Sequence, residues 1–147
     1  MTLTVRPLDR DDFAPWDRLW QGYLAFYETE RPPDFRRAYF GRLLSGDPHD
    51  YACLLALDGE RPVGLAHYLF HAHGWHARPV CYLQDLYVDP GHRGRGVGRA
   101  LIEAVYAEAD KKDASGVYWT TQHFNDTARR LYDRVGRPTS FMKYERS

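Results

Sequence analysis

Gly94, Gly96 and Gly98 alternate with other residues in the segment 91–98, which reads Gly-His-Arg-Gly-Arg-Gly-Val-Gly. This segment separates a run of strand-forming residues from a helical pattern, and its glycines let the main chain turn tightly. Without Cβ atoms, their N–H groups can approach a ligand, and the N-terminal end of the next helix adds further donors. The segment therefore predicts an α/β chain with a phosphate-binding turn between a strand and a helix.

Three kinds of phosphate-binding turn compete for this segment. A P-loop needs a Lys-Ser or Lys-Thr pair, which follows none of these glycines. The dinucleotide-binding motif needs a third glycine where Arg99 stands. The remaining pattern, Arg-x-x-Gly-x-Gly, is met by Arg93, Gly96 and Gly98. The guanidinium groups of Arg93, Arg95 and Arg99 are expected to add charge-assisted hydrogen bonds at the rim.

Hydrophobic periodicity predicts a mixed α/β order: a strand, two helices, an antiparallel run of strands, then strand–helix–strand–helix–strand. An aromatic stripe marks the first helix, after capping residues at 9–12, and a hairpin turn is expected at Asp58-Gly59. The predicted strands are 3–7, 51–57, 63–70, 81–88, 117–121 and 141–144, and the predicted helices are 13–27, 34–44, 97–112 and 125–135.

Composition narrows the class of protein. The 147 residues fit one domain, expected over 1–147, and equal totals of 20 basic and 20 acidic residues favour neither nucleic acid nor an anionic membrane as a partner. No apolar run approaches the roughly 18 residues of a membrane span, and no signal peptide is visible.

Cys53 and Cys81 stand among apolar neighbours, which favours free thiols and a cytoplasmic location. The spacing of His71, His73 and His76 matches no common zinc motif, so no metal is expected.

Two motifs, in order, make the chain resemble the GNAT superfamily of acetyl-CoA-dependent N-acetyltransferases. The first is the superfamily's [RQ]-x-x-G-x-[GA] pattern at 93–98, after a Val-x-Pro turn; the second comprises Asn125, Ala128 and Tyr132, beyond the next predicted strand. The resemblance implies a single-domain α/β GNAT fold with a mixed, mostly antiparallel twisted sheet of six to seven strands, flanked by about four helices. Segment 82–88, Tyr-Leu-Gln-Asp-Leu-Tyr-Val, resembles the polyamine and thialysine acetyltransferases, which usually carry Leu-Glu-Asp there.

The resemblance also implies how acetyl-CoA, the co-substrate, is held. Its pyrophosphate would bind the amides of the turn, and its pantetheine arm would hydrogen-bond to the open edge of the preceding strand. A main-chain N–H of that strand would stabilise the reaction's oxyanion. Asn125 would both contact the cofactor and cap its helix. The cofactor-binding residues so implied are Leu86, Tyr87, Val88, Arg93, Gly94, Arg95, Gly96, Val97, Gly98, Arg99, Asn125 and Tyr132.

By the same resemblance, Tyr132 protonates the departing CoA thiolate, because a phenol with a pKa of about 10 can donate to a thiolate at neutral pH. The amine nucleophile must also lose a proton. Relatives place a glutamate where this chain has Gln84, and an amide cannot act as a base, whereas the carboxylate of Asp85 is expected on the opposite face of the strand. The candidate catalytic residues are Tyr132, Gln84 and Asp85, and the base remains open among His67, Tyr68, Tyr118, His123 and ordered water.

The predicted function is transfer of an acetyl group from acetyl-CoA to a primary amine of a small molecule. Direct attack in a ternary complex is favoured, because no cysteine stands where a covalent acyl carrier would be expected. Two alternatives stay open: acetylation of a protein or peptide, and a non-catalytic CoA-binding sensor, which Gln84 in place of the glutamate favours. A homodimer is expected from the resemblance alone.

Overall fold

Five β-strands and four α-helices make up the chain, whose residues 1–147 are all described by a computed structural model. In chain order they are β1 (Leu3–Pro7), α1 (Phe13–Phe26), α2 (Pro33–Leu43), β2 (Ala52–Asp58), β3 (Arg61–His71), β4 (Val80–Val88), α3 (Val97–Lys111), β5 (Val117–Tyr118) and α4 (Asp126–Val135). None of the helices combines the length and the apolar character that crossing a membrane requires.

The strands form one sheet in the order β1-β2-β3-β4-β5. The first four strands are antiparallel to their neighbours, whereas β5 runs parallel to β4, with α3 as the connection between them. A parallel pair needs such a crossover, since a short turn cannot bring the chain back to the same end of the sheet. The mixed, mostly antiparallel sheet with about four helices is therefore confirmed.

The prediction of six to seven strands is wrong, because the sheet has five. Segment 141–144 forms no strand; Phe141, Met142 and Tyr144 are at least 78% exposed, so no burial offsets the cost of ordering it. The strand predicted at 117–121 pairs with β4 only through Val117 and Tyr118. The β2–β3 hairpin turns at Gly59-Glu60, one residue beyond the predicted turn, because Asp58 still pairs with Arg61.

Two apolar clusters cover the two faces of the sheet. Trp16, Leu19 and Trp20 of α1 are at most 4% exposed and pack with residues of α2 on one face. The inward residues of α3, joined by residues of α4, pack on the other face. Alternation along β2 supplies both faces: Leu54 and Ala56 face α3, and Cys53, Leu55 and Leu57 face α1 and α2. These two layers fix the positions of β3 and β4 between them.

The two cysteines lie on opposite faces of this sheet, and both are free and buried. Cys53 belongs to the cluster under α1 and α2, and Cys81 belongs to the cluster under α3. Burial raises the pKa of Cys53 well above its ordinary value and that of Cys81 to about 12. Both thiols are therefore protonated at neutral pH.

An ion pair fixes the approach to α1. Asp12 accepts hydrogen bonds from Nη1 and Nη2 of Arg6 at 2.7 and 2.9 Å, and from the amide of Asp9 at 2.7 Å. The hydrogen bond from Arg6 is the main cause that lowers the pKa of Asp12 below its ordinary value. Asp12 is only 7% exposed, and its hydrogen bonds compensate for the free-energy cost of removing its carboxylate from water.

Candidate active site

The glycine-rich turn connects β4 to α3 and has the backbone that its sequence predicts. A short 3-10 turn at Pro90–His92 follows β4, and α3 begins at Val97. Gly94 and Gly96 have φ values of +76° and +83°, in the left-handed region where other residues are strained. Nothing lies within 4 Å of the position that a Cβ would take at either glycine, so this side of the turn is open.

Six consecutive amides in this turn, those of residues 94–99, donate to no acceptor within the chain. The first hydrogen bond of the helix runs from Ala100 N to Gly96 O at 3.0 Å. Free amides at the positive end of a helix form a binding site for phosphate oxygens. Of the three rim arginines, Arg99 pairs with Glu103 at 2.7 Å, Arg93 bonds to Val88 O at 3.0 Å, and Arg95 makes no ion pair.

The edge of β4 that faces β5 is open beyond Tyr82, where the pairing of the two strands ends. Asp89 N donates to Val63 O of β3, so alternation turns the N–H and C=O groups of Leu86 and Val88 towards the open edge. The main chain of Tyr87 faces β3 instead. Two of the three strand residues predicted to bond the pantetheine arm therefore present main-chain groups to this gap.

A β-bulge at Gln84 decides which side chains of β4 reach the α1 side of the sheet. Leu83 pairs with Tyr68 and Asp85 pairs with His67, which leaves Gln84 without a partner on β3. The extra residue shifts the alternation, so Leu83 packs towards α3 whereas Asp85 lies under α1 and α2. Gln84 is exposed and Asp85 is only 6% exposed. The two predicted site residues therefore differ in burial.

Asp85 is part of a buried polar network that the sequence did not reveal. Its Oδ2 lies 2.9 Å from Nδ1 of His67 and 3.4 Å from the hydroxyl of Tyr39, which donates to it. Behind this pair, Nε1 of Trp16 donates to Nε2 of His67 at 3.0 Å. His67 is fully buried, and a histidine inside an otherwise apolar strand pattern was the one signal in the sequence for this network.

Phenols surround the carboxylate of Asp85. The pKa values of Tyr23 and Tyr39 are raised, chiefly because these side chains are buried and next because Asp85 is charged. Tyr27 shows the same two causes in the same order. The phenols are therefore protonated at neutral pH and contribute no charge of their own.

Tyr132 lies on α4, half-buried against Trp119, with ring centroids 5.5 Å apart. Burial raises its pKa to about 12, and a smaller contribution comes from Tyr27. Its hydroxyl makes no hydrogen bond within the chain, and because it is not fully buried, solvent can reach it. Tyr27 lies within electrostatic range of both Tyr132 and Asp85.

The remaining sequence candidates lie elsewhere. Asn125 caps α4, since its Oδ1 accepts from Ala128 N at 3.3 Å. Tyr68 is buried on the α3 side, and Tyr118 is bonded to His71 Nε2 at 2.7 Å. His123 lies in the exposed loop before α4. No group of three or more His, Cys, Asp or Glu side chains is arranged to hold a metal ion.

Comparisons with known proteins agree with this geometry. The profile of the Acetyltransferase (GNAT) family matches residues 16–136. The D-amino-acid N-acetyltransferase HPA3 of Saccharomyces cerevisiae is 37% identical over 147 residues, covering 99% of this chain and 91% of the relative. Thialysine N-epsilon-acetyltransferase of Bos taurus is 32% identical over 99 residues, 62% of this chain and 58% of that protein.

Solved structures of the same fold include the aminoglycoside acetyltransferase AAC(6')-Iy in complex with a bisubstrate analogue containing CoA. It is 21% identical, has a TM-score of 0.86, and the match covers 100% of this chain and 99% of that chain. Ribosomal-protein-alanine N-acetyltransferase of Brucella melitensis is 19% identical with a TM-score of 0.83, and the match covers 99% of each chain. At these identities the likeness is one of fold.

Proposed function

The chain belongs to the acetyltransferase (GNAT) family and is an N-acetyltransferase, and we propose that, as one domain over residues 1–147, it acetylates a primary amine of a small molecule with acetyl-CoA. The observation that carries the proposal is the row of six unpaired amides at residues 94–99, beside the open edge of β4. The unpaired amides suit a pyrophosphate, and the open strand edge suits the two amides of a pantetheine arm.

The proposed cofactor contacts follow from this arrangement. Amides of residues 94–99 would bind the pyrophosphate oxygens, and Arg95, which has no acidic partner, would add charge at the rim. Main-chain groups of Leu86 and Val88 would bond the pantetheine arm along the gap. Arg93, Arg99, Tyr87 and Asn125 are already engaged within the chain, so their expected role is to shape the site and to contact the cofactor at its margin.

The proposed chemistry is direct attack. The acceptor enters as an ammonium ion and gives a proton to the Asp85 carboxylate, which passes it to solvent. The freed nitrogen adds to the thioester carbon, whose C=O electron pair moves onto oxygen, and the resulting oxyanion then collapses as the C–S bond breaks. Tyr132 protonates the departing thiolate, and the proton that the nitrogen still loses restores the phenol. A main-chain N–H near the Gln84 bulge would stabilise the oxyanion, while the amide side chain of Gln84 can hold water but take no proton.

A small amine is favoured as the acceptor by the names of the relatives and by the site itself. HPA3 is described as acting on D-amino acids, and the bovine relative is described as acting on thialysine. Asp85 itself is buried, and half-buried phenols from two helices, Tyr23 and Tyr39, lie around it, which suits a compact acceptor better than a polypeptide segment.

A panel of amines tests this proposal. The purified protein is given acetyl-CoA with D-amino acids, their L-enantiomers, thialysine, a polyamine or an N-terminal peptide, and CoA release and acetylated product are both measured. We expect product with at least one small amine and little with the peptide. Acetylation of the peptide alone would overturn the small-molecule assignment, and CoA release without any acetylated amine would overturn the acceptor chemistry.

We further propose that the protein works as a homodimer in the cytoplasm. Phe141, Met142 and Tyr144 expose apolar surface on one segment that has no partner within the chain, and two free buried thiols suit a reducing compartment. Light scattering on the purified protein measures the mass directly, and a mass of 17.2 kDa at micromolar concentration would contradict the dimer.

A further inference from the structure

Two carboxylates in this chain are buried, and their partners differ. Asp12 is held by both Nη atoms of Arg6. Asp85, equally buried, has no arginine or lysine beside it; the only basic side chain it contacts is that of His67. Buried charges in proteins are normally paired. Asp85 has no permanently charged cation as a partner. It is therefore suited to bind a ligand that carries a positive charge.

The hydrogen bond from Trp16 fixes the protonation of His67. An indole nitrogen only donates, so His67 Nε2, 3.0 Å from Trp16 Nε1, must be the acceptor and carries no proton. In a neutral imidazole the proton is then on Nδ1, which faces Asp85 Oδ2 at 2.9 Å. A second proton at Nε2 would put two donors against each other. The neighbouring indole therefore keeps His67 neutral and directs its single N–H at the carboxylate.

The two oxygens of Asp85 have different surroundings. Oδ2 takes the hydrogen bonds from His67 and Tyr39. Oδ1 accepts no close hydrogen bond within the chain, although the hydroxyl of Tyr23 lies near Asp85 and has its pKa raised by burial and by that carboxylate. Oδ1 is not one of the fully buried side-chain atoms without a partner, which are Trp20 Nε1 and His92 Nδ1, so solvent can reach it. Oδ2 is therefore anchored by His67 and Tyr39, and Oδ1 is accessible to solvent.

The other titratable side chains around this pair are phenols and one thiol. Burial raises the pKa values of Tyr23, Tyr39 and Cys53, so these three groups stay protonated and uncharged at neutral pH. Asp12, which like Asp85 influences the thiol of Cys53, is paired with Arg6. The groups are Tyr23 and Tyr27 of α1, Tyr39 of α2, Tyr51 and Cys53 at the start of β2, and Tyr82 of β4.

We propose that His67 is a positioning residue, whose tautomer, imposed by Trp16, keeps Asp85 ionised with Oδ1 free to meet the ammonium ion of the acceptor. The inference rests on the proposed acetylation of an amine. It assigns His67 no proton transfer of its own, since both of its ring nitrogens are already committed. It also gives the buried indole of Trp16 a role beyond packing.

Trp16 and Trp20 provide a matched pair of variants. They lie four residues apart on α1, are at most 4% exposed and stack with ring centroids 5.3 Å apart. Both pack near Tyr39 and His67, but Trp16 Nε1 donates to His67 whereas Trp20 Nε1 has no partner. Trp16→Phe and Trp20→Phe remove the same indole N–H and a similar ring volume, and only the first frees His67 Nε2.

In the Trp16→Phe variant, His67 Nε2 has no donor against it and is free to take a second proton at low pH. The resulting imidazolium would pair with Asp85 and compete with the ammonium ion of the acceptor. At about pH 6 we expect kcat/KM for the amine to be at least about tenfold lower in Trp16→Phe than in Trp20→Phe. At about pH 9 we expect the values of the two variants to agree within about twofold. The KM for acetyl-CoA should not differ between the two variants. Parallel pH profiles for both variants would overturn the proposal.

A second measurement needs no variant and no turnover. Long-range 1H–15N correlation spectra of the wild-type protein report which imidazole nitrogen carries the proton. We expect the proton of His67 to be on Nδ1 and none to be on Nε2, as the hydrogen bond from Trp16 requires. A proton on Nε2 would overturn the proposal. Absence of acetylation with every amine would instead contradict the proposed function, while the tautomer would still be measurable.

Discussion

The carbonyl oxygen of Gly96 accepts the first hydrogen bond of α3, from the amide of Ala100 at 3.0 Å. Every amide from Gly94 to Arg99 lies before that bond and remains available to a ligand. The helix therefore begins at the point where the proposed pyrophosphate would stand. Its start is determined by a glycine in the left-handed region rather than by a capping side chain.

Replacing Gly96 by alanine tests this turn. The substitution places a Cβ in a left-handed residue, which costs about 1 kcal/mol of folding free energy, and it fills part of the open side of the turn. We expect the Kd for CoA, measured by calorimetry, to rise at least about tenfold. Gly46→Ala is the control, because Gly46 has φ +72° and equally open surroundings. If both variants bind CoA like the wild type, the amides of the turn do not hold the cofactor.

Tyr132→Phe removes the proposed acid. Because the pKa of Tyr132 is raised to about 12, its phenol keeps its proton throughout an ordinary assay range. We expect kcat to fall about 100-fold with an unchanged Kd for CoA. Tyr106→Phe is the comparison, since the hydroxyl of Tyr106 donates to Val135 O at 2.7 Å and so makes a structural hydrogen bond within the chain. A kcat for Tyr132→Phe within about twofold of the wild type would exclude the phenol as the proton donor.

Asp85→Asn and Gln84→Ala compare the catalytic contributions of the two neighbouring side chains at the bulge. Asp85 is buried beside His67, whereas Gln84 is exposed and unpaired. We expect kcat/KM for the amine to fall about 100-fold in Asp85→Asn and to stay within about threefold of the wild type in Gln84→Ala. Binding of CoA should survive in both variants. The reverse order of effects would assign the proton transfer to water held at position 84.

Asp12→Asn tests the ion pair with Arg6 through acid stability. The folded-state pKa of Asp12 lies below its unfolded value of about 3.9, so its contribution is present above about pH 4 and is lost as the pH falls through the lowered folded value. We expect a loss of about 1–3 kcal/mol in the free energy of unfolding at neutral pH, shrinking at lower pH. Asp11→Asn, an exposed neighbour without an ion pair, should change stability little at any pH. A loss that stays constant down to about pH 2 would contradict the linkage.

Sequence alone predicted the parts of this molecule whose causes are local. The start of α3 at Val97 follows from the glycines before it and the apolar periodicity after it, and the first helix follows from its aromatic stripe. The glycine-rich turn, for which we propose cofactor binding, was visible in the sequence for the same reason. Its glycines, its preceding strand and its helix lie within about two dozen residues of one another.

The parts that sequence could not predict depend on contacts between distant segments. The bulge at Gln84 arises from the register between β3 and β4, and it moves Asp85 onto the α1 side without any mark in the apolar pattern. The bond between Trp16 and His67 joins residues 51 positions apart. The segment 141–144 has a strand-like pattern, but β5 contains only two residues and offers it no edge within the chain.

The burial of Cys53 and Cys81 on opposite faces of the sheet has a practical consequence. With raised pKa values, neither sulfur offers appreciable thiolate to an alkylating reagent while the protein is native. Colour developed by a thiol reagent during turnover would therefore come from liberated coenzyme alone. In rising denaturant, mass spectrometry of the two alkylated peptides would reveal which helical layer detaches first.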